Sequence, residues 1–243
     1  MALAMLSALV LGGLLLVTPG VSDAPALARA LDRAHHAAYP STPVPSRFAA
    51  SLAATEDHRF YSETGIDPIA AARVILGHLT GGPDQGGATL DQQLAKVLYM
   101  PRRAGLLAES EQVLLAIKLD LSYPKPKLLQ MYANVVYFGH GYYGLAAASC
   151  GYFVKRPTQL SWAQAALLAG LVQAPSADDP LSHFSNARAR EAHVLGRLVA
   201  TGRLTQAQAA RAYRQRLHLA VGPATGWRRL HSAAGYLACV TAR

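Results

Sequence analysis

"TLDQQLAKVL", residues 89–98, carries the clearest fold signal in the chain. Thr89 and Gln92 stand at the spacing of a capping box, in which a hydroxyl and a carboxamide each satisfy a backbone group at a helix start. Leu90, Leu94, Val97 and Leu98 then recur at helical spacing, which predicts a buried stripe. The same start signature returns at Ser161 with Gln164 and at Thr205 with Gln208. No alternation of apolar and polar residues is long enough to predict a sheet, and no internal repeat occurs, so the predicted fold class is mainly α.

Working outward, 243 residues of which 51% are hydrophobic suffice for one well-packed domain plus a small appendage. Lys and Arg number 23 against 14 Asp and Glu, a net charge of +9 that favours an anionic partner such as nucleic acid, a membrane surface or a phosphorylated substrate. No nucleic-acid-binding motif accompanies the charge, so no nucleic acid is expected. Cys150 and Cys239 lie far apart and outside any C-x-x-C spacing, and neither a zinc site nor a disulfide framework is predicted from them. The nine histidines show no ligand spacing either.

The chain divides by composition into 1–22, a membrane anchor or signal segment; 23–200, the main domain; and 201–243, a basic helical tail. Met1 to Val17 holds a single polar side chain, Ser7, and at helical rise reaches about 25 Å, close to the thickness of a bilayer core. No Lys or Arg precedes the run, which favours an uncleaved anchor over a cleaved signal. Ala26, Leu27, Ala30, Leu31 and Ala34 predict an amphipathic helix, ended by the proline-rich linker "YPSTPVPS" at 39–46. "IDPIAAARVILGHLTGGPDQGG", 66–87, reads either as a membrane-dipping flap over a cleft or as a packed helix and an ordinary loop. Between Ser182 and Leu219 the arginines 188, 190, 197, 203, 211, 214 and 216 read as a solvated face that would also suit an anionic surface.

Four polar clusters could carry chemistry. In "ATEDHRFYSETGID", 54–67, Glu56 trails an apolar segment whose burial would raise a carboxylate towards the range useful for proton abstraction, with Asp57, His58 and Arg59 beside it. In "GGATLDQQLAK" glycines feed a capped helix start, whose free N–H groups attract phosphate, and Gln92, Gln93 and Lys96 follow on the helix. "RRAGLLAESEQ" sets Glu109 and Glu111 into a largely apolar helix. "NVVYFGHGYYGLAAA" is a glycine and aromatic turn between two helices, suited to carbohydrate or backbone contact.

The order of these clusters, followed by "LSWAQAALLAGLVQAPSADDP", resembles family 51 of the glycosyltransferases, the peptidoglycan glycosyltransferase domain of class A penicillin-binding proteins and of monofunctional cell-wall enzymes. The resemblance spans roughly Val44 to Leu198. It implies a mainly α, lysozyme-like fold with a membrane-associated flap and an N-terminal apolar helix, placed on the outer face of the bacterial cytoplasmic membrane as a single-pass protein. The implied reaction is that of an inverting hexosyltransferase, which joins lipid II disaccharide units into glycan and releases undecaprenyl pyrophosphate. The implied partners are lipid II, the growing glycan strand, the membrane and other cell-wall synthesis proteins.

Residue by residue, Glu56, Asp57, Phe60 and Gly65 match the first motif, which resembles the general-base site, and Glu63 stands where the family has His. Thr89, Gln92, Gln93, Leu94 and Lys96 match the second, with Ala88 and Asp91 in place of Ser and Thr; Lys96 is the implied phosphate ligand. Asn134, Val136, Tyr137, Phe138, Gly139, Gly141, Tyr143 and Gly144 match the fourth motif, and Gln173, Ala174, Pro175, Ser176 and Pro180 the fifth. The third motif departs. Anchored on Asp120, the family's second glutamate falls on Gln112, while Glu111 lies one residue away at the family's separation from Arg103. Glu111 and Arg103 are therefore carried as candidates through a one-residue slip, such as a helix bulge. Glu111 and Lys96, with a divalent cation such as magnesium or manganese, would stabilise the leaving pyrophosphate. The alternative is a degenerate homologue that binds lipid II or glycan as a scaffold. Ser122-Tyr-Pro-Lys125 fits the Ser-x-x-Lys pattern of transpeptidases, and without companion motifs it reads as chance.

Overall fold

The computed structural model describes residues 13, 15–16, 18–37, 40–62, 88–101, 103, 105–220 and 239. Most of the apolar run 1–17, the whole of 66–87, and Glu63 and Gly65 lie outside these residues. Among the described residues no helix is long and apolar enough to cross a membrane. Regular secondary structure among the described residues is helical apart from one isolated antiparallel bridge, Tyr137 to Tyr143. The helices are α1 Ala24–Ala34, α2 Ser46–Glu56, α3 Leu90–Tyr99, α4 Leu106–Ser122, α5 Lys125–Val135, α6 Leu145–Phe153, α7 Trp162–Leu171, α8 Phe184–Ala200 and α9 Gln206–Arg214. All three predicted capping boxes form, at the starts of α3, α7 and α9.

The chain forms two compact units. The first comprises residues up to Leu27 and Arg59–Leu128. In it α3 packs on α4 and buries Leu90, Leu94 and Leu98, with Val97 at the flank. The segment before α1 is tied to this pair: Lys118 Nζ donates to the carbonyls of Thr18 (2.7 Å) and Pro19 (2.9 Å), Tyr123 Oη to that of Val21 (2.9 Å), and Tyr99 Oη to Asp23 Oδ1 (2.7 Å). Asp91, with a fully buried side chain, meets Lys125 at 2.7 Å, and Asp120 meets the same ammonium at 2.6 Å. Burial alone would lower the Lys125 ammonium, but hydrogen bonds to Asp120 and Asp91 outweigh it and hold the group above its ordinary value. Its charge also sits over the Phe60 ring at 4.7 Å.

The second unit comprises Ala28–His58 and the chain from Leu129 onward. At its centre is α7, buried from Ala163 to Leu171, with α2 and α8 packed against it, α6 beside it and α9 on α8. Gly170 lets α8 come close, since a Cβ there would stand 3.0 Å from the Cβ of Arg190. Cys150 on α6 is bonded to Cys239 near the end of the chain, with Cα atoms 6.1 Å apart. This corrects the sequence expectation of no disulfide: spacing along the chain cannot show that 89 residues fold back to bring the thiols together.

A second correction concerns α1. Its buried positions are Ala24, Ala28 and Asp32, with Leu27 and Leu31 half-buried, whereas Ala26, Ala30 and Ala34 face solvent. The predicted apolar row lies one position off the true inner face. Alanines fit either side of a helix, so periodicity in so small a residue does not fix the rotation.

Candidate functional site

In the second unit, Glu56 is the last residue of α2 and is half-buried, while Asp57, its C-cap, is buried and donates its backbone N–H to Ala53 O at 3.1 Å. The helix interior upstream is small and apolar, with Phe48, Ala49, Leu52, Ala53 and Ala54 buried, so the chain delivers its first polar pair where packing ends. Arg197 on α8 completes this end: its Nε donates to Ala54 O at 3.1 Å and places a cation at a helix C-terminus. The charge of Glu56 is felt at Tyr132 on α5, whose phenol is raised well above its ordinary value, chiefly by burial and then by that carboxylate. Glu56 thus sits on a fixed helix end beside a neutral phenol.

The glycine and aromatic turn lies in the same unit. Phe138 N donates to Tyr142 O and Tyr142 N to Gly139 O, each at 2.9 Å, closing a tight loop inside the Tyr137 to Tyr143 bridge. Gly139 has φ +85°, and a Cβ there would overlap Pro175 O, so the turn lies directly on the "QAPSADDP" loop. Asp179 from that loop joins the two. Its carboxylate meets His140 Nδ1 at 3.1 Å and accepts from Leu181 N at 3.0 Å and Tyr152 Oη at 3.4 Å, while Tyr152 Oη also donates to Phe138 O at 3.0 Å. Burial, then the charge of Asp179, pushes the Tyr152 phenol up.

Tyr143 is half-buried and stacks on His35 with centroids 3.5 Å apart and planes within 6°; Tyr137 lies 4.7 Å away. Burial, and then the neighbouring His36, lowers the His35 imidazole, so a neutral ring stacks there at neutral pH. Asn134 is buried, and its amide donates to Pro40 O at 3.2 Å, as Gln130 donates to Ser41 O at 2.6 Å. These two amides hold the linker that leads into α2.

In the first unit, Thr89 Oγ1 accepts from Gln92 N at 3.2 Å and Gln92 Oε1 from Thr89 N at 3.3 Å, so the Gln92 amide oxygen is taken by the helix cap. Gln93 is half-buried beside it, and Lys96 projects to solvent one turn on from Gln92. Glu111 pairs with Arg103 at 2.7 Å, with side chains 23% and 53% exposed. Helix α4 runs through these residues without a bulge. Gln112, in the register given by Asp120, is the residue that reaches α3, donating to Gln92 O at 3.0 Å. The expected slip therefore has no backbone counterpart.

Among the described residues no three His, Cys, Asp or Glu side chains group as ligands for a metal ion. The one carboxylate proposed to face phosphate is neutralised by a guanidinium, and an amide stands beside it. Ser122 is exposed and Lys125 is held by two aspartates, which leaves the Ser-x-x-Lys match without a free base. Sequence alone places Arg197 on a solvated face and assigns no role to Asp179 or Tyr152, since only folding brings them to Ala54, His140 and Phe138.

Comparison with known proteins bears directly on these motifs. The chain is 37% identical over 169 residues to Penicillin-binding protein 1A of Neisseria flavescens, covering 69% of this chain and 21% of that protein. It is 37% identical over 179 residues to Penicillin-binding protein 1F of Bacillus subtilis, covering 73% of this chain and 25% of that one. The chain thus spans a quarter or less of these two curated relatives. A Cupriavidus necator protein, named provisionally as a transglycosylase, is 35% identical over 165 residues, covering 68% of this chain and 71% of its own length. A crystal structure of Penicillin-Binding Protein 1A from Haemophilus influenzae matches 54% of this chain at 24% identity with a TM-score of 0.38. The family model described as Transglycosylase matches residues 25–199, a span that includes Glu56, Lys96 and the aromatic turn, and the chain belongs to that family.

Proposed function

We propose that this chain is a peptidoglycan glycosyltransferase that polymerises lipid II, with Glu56 as general base and Lys96 as phosphate ligand. The observation that carries the reading is the family match over residues 25–199, in which the Glu56-Asp57 pair ends a buried helix fixed by Arg197. In the reaction, Glu56 takes the proton of the acceptor sugar hydroxyl as its oxygen forms a bond to the anomeric carbon of the donor. The carbon–oxygen bond to pyrophosphate breaks with its electron pair on the phosphate oxygen, and the configuration inverts. Lys96 supplies positive charge for the leaving group, while Arg103 shares its charge with Glu111. Tyr143 and the turn around it offer aromatic and backbone surface to sugar.

The disulfide supports a location outside the cytoplasm, where such bonds persist. Anchoring of residues 1–22 in the cytoplasmic membrane and a lysozyme-like arrangement belong to the same proposal. Purified full chain is expected to convert lipid II to glycan polymer, and Glu56→Gln to lose at least about a thousandfold of that rate. Polymer formation at the parental rate by Glu56→Gln would remove Glu56 from the base role.

A second reading has its own observation. Gln112 occupies the register of the family's second carboxylate and is used as a tether to α3, while Glu111 is paired. A catalytically degenerate relative that binds lipid II or glycan as a scaffold would show saturable lipid II binding with no polymer in the parent protein.

A further inference from the structure

A cavity of about 230 Å³ lies in the second unit between the first turn of α2, the start of α7 and α9. Arg47 comes from α2, Trp162 from α7 with its N-cap Ser161, and Gln208, Arg211 and Ala212 from α9, flanked by Leu204 before it and its C-cap Gln215. The family match ends at residue 199, so five of the eight lining residues come from chain outside it. The charged groups of the lining are the two guanidiniums.

The two guanidiniums make donors the prevailing polar groups here, with the Gln215 amide adding both donors and an acceptor. Arg47 spends one donor on Leu160 O at 2.8 Å and keeps the rest of its fork. Gln208 Oε1 is taken by Thr205 N at 2.8 Å in the capping box, which leaves its amide N–H groups as the available end. Ser161 Oγ already accepts from Gln164 N at 3.3 Å. Trp162 and Leu204 also line the cavity and supply its large apolar side chains. A ligand that satisfies this lining carries a negative acceptor on a small, partly apolar body.

The walls are held before any ligand arrives. Arg188 on α8 donates to Tyr213 O at 2.6 Å, lies 3.9 Å over the Tyr213 ring and pairs with the buried Glu191, so it rivets α9 to α8. Fixed walls avoid the ordering cost that a mobile helix would charge against binding. The volume is below the range of drug-sized pockets and suits one or two small residues.

We propose that this cavity binds the C-terminal carboxylate of a short peptide with small side chains. The carboxylate takes the Arg47 and Arg211 guanidiniums and the Gln208 amide, and the terminal side chain packs on Trp162 and Leu204. A bare inorganic anion would leave the apolar wall unused.

The test is titration of the full chain, in a Trp227→Phe background that leaves Trp162 as the single indole, with N-acetyl-alanyl-alanine and with its C-terminal amide. Saturable change in Trp162 fluorescence with the acid and none with the amide is expected, and Arg211→Glu is expected to weaken the acid at least about tenfold. Running the L,L and D,D isomers side by side identifies the source, a protein chain end if L,L binds more tightly and a wall peptide end if D,D does. No response to either acid, an equal response to the amide, or full affinity in an Arg211→Glu protein of parental circular dichroism would overturn the proposal. The outcome is independent of lipid II polymerisation.

Discussion

Asp32 shows what a single buried charge does to this protein. It is 2% exposed and neither carboxylate oxygen has a partner among the described residues, so burial pushes its carboxyl up to about 7. The unfolded group titrates near 3.8. Between those values the folded state holds the extra proton, and stability therefore falls as pH rises through the window. Asp32→Asn is expected to match the parent near pH 4 and to exceed it at pH 8 by on the order of 3 kcal/mol. Urea denaturation at the two pH values checks this, and the same difference at both would refute it. Gly139 poses a steric case. With φ +85° and Pro175 O where a Cβ would go, Gly139→Ala is expected to cost about 3 kcal/mol or more and to separate the aromatic turn from the "QAPSADDP" loop. Its thermal midpoint and the near-ultraviolet signal of the tyrosines report both effects.

Caps and buried ion pairs act on whole elements. Thr89→Ala removes one half of the box that starts α3 and is expected to cost about 1 kcal/mol. The other half of the box survives, since the backbone N–H of residue 89 still donates to Gln92 Oε1, and the Gln112 tether to Gln92 O also remains. Lys125 ties α3 and α4 to the start of α5 through Asp91 and Asp120. Lys125→Met leaves two buried or nearly buried carboxylates without their cation and is expected to cost about 3–5 kcal/mol. If its denaturation midpoint equals that of the parent, the triad contributes no net stability. In the second unit three of the tail-proximal arginines are structural: Arg188 on Glu191 and Tyr213, Arg190 on Gly170 O and Asp178, and Arg197 on Ala54 O. A sequence reading assigns such residues to solvent by default, because charge says nothing of what lies within reach.

At the scale of the molecule, the Cys150 to Cys239 bond closes a long loop and limits the unfolded chain. Cys239→Ser is expected to lower stability by about 2–4 kcal/mol, measured against the parent under oxidising conditions. Under reducing conditions the two proteins should coincide, and a difference that persists there would assign the loss to packing. The sequence by itself determined the helical class, the three capped helix starts and the family motifs, because capping and periodicity act over three or four residues and are written in adjacent positions. Tertiary structure decided which face of α1 is buried, that the two cysteines meet, that Gln112 rather than Glu111 reaches α3, and that Arg197 fixes the helix end bearing Glu56. Each of these depends on groups far apart in the chain, and which of many possible partners they meet is set only when the cores close around them.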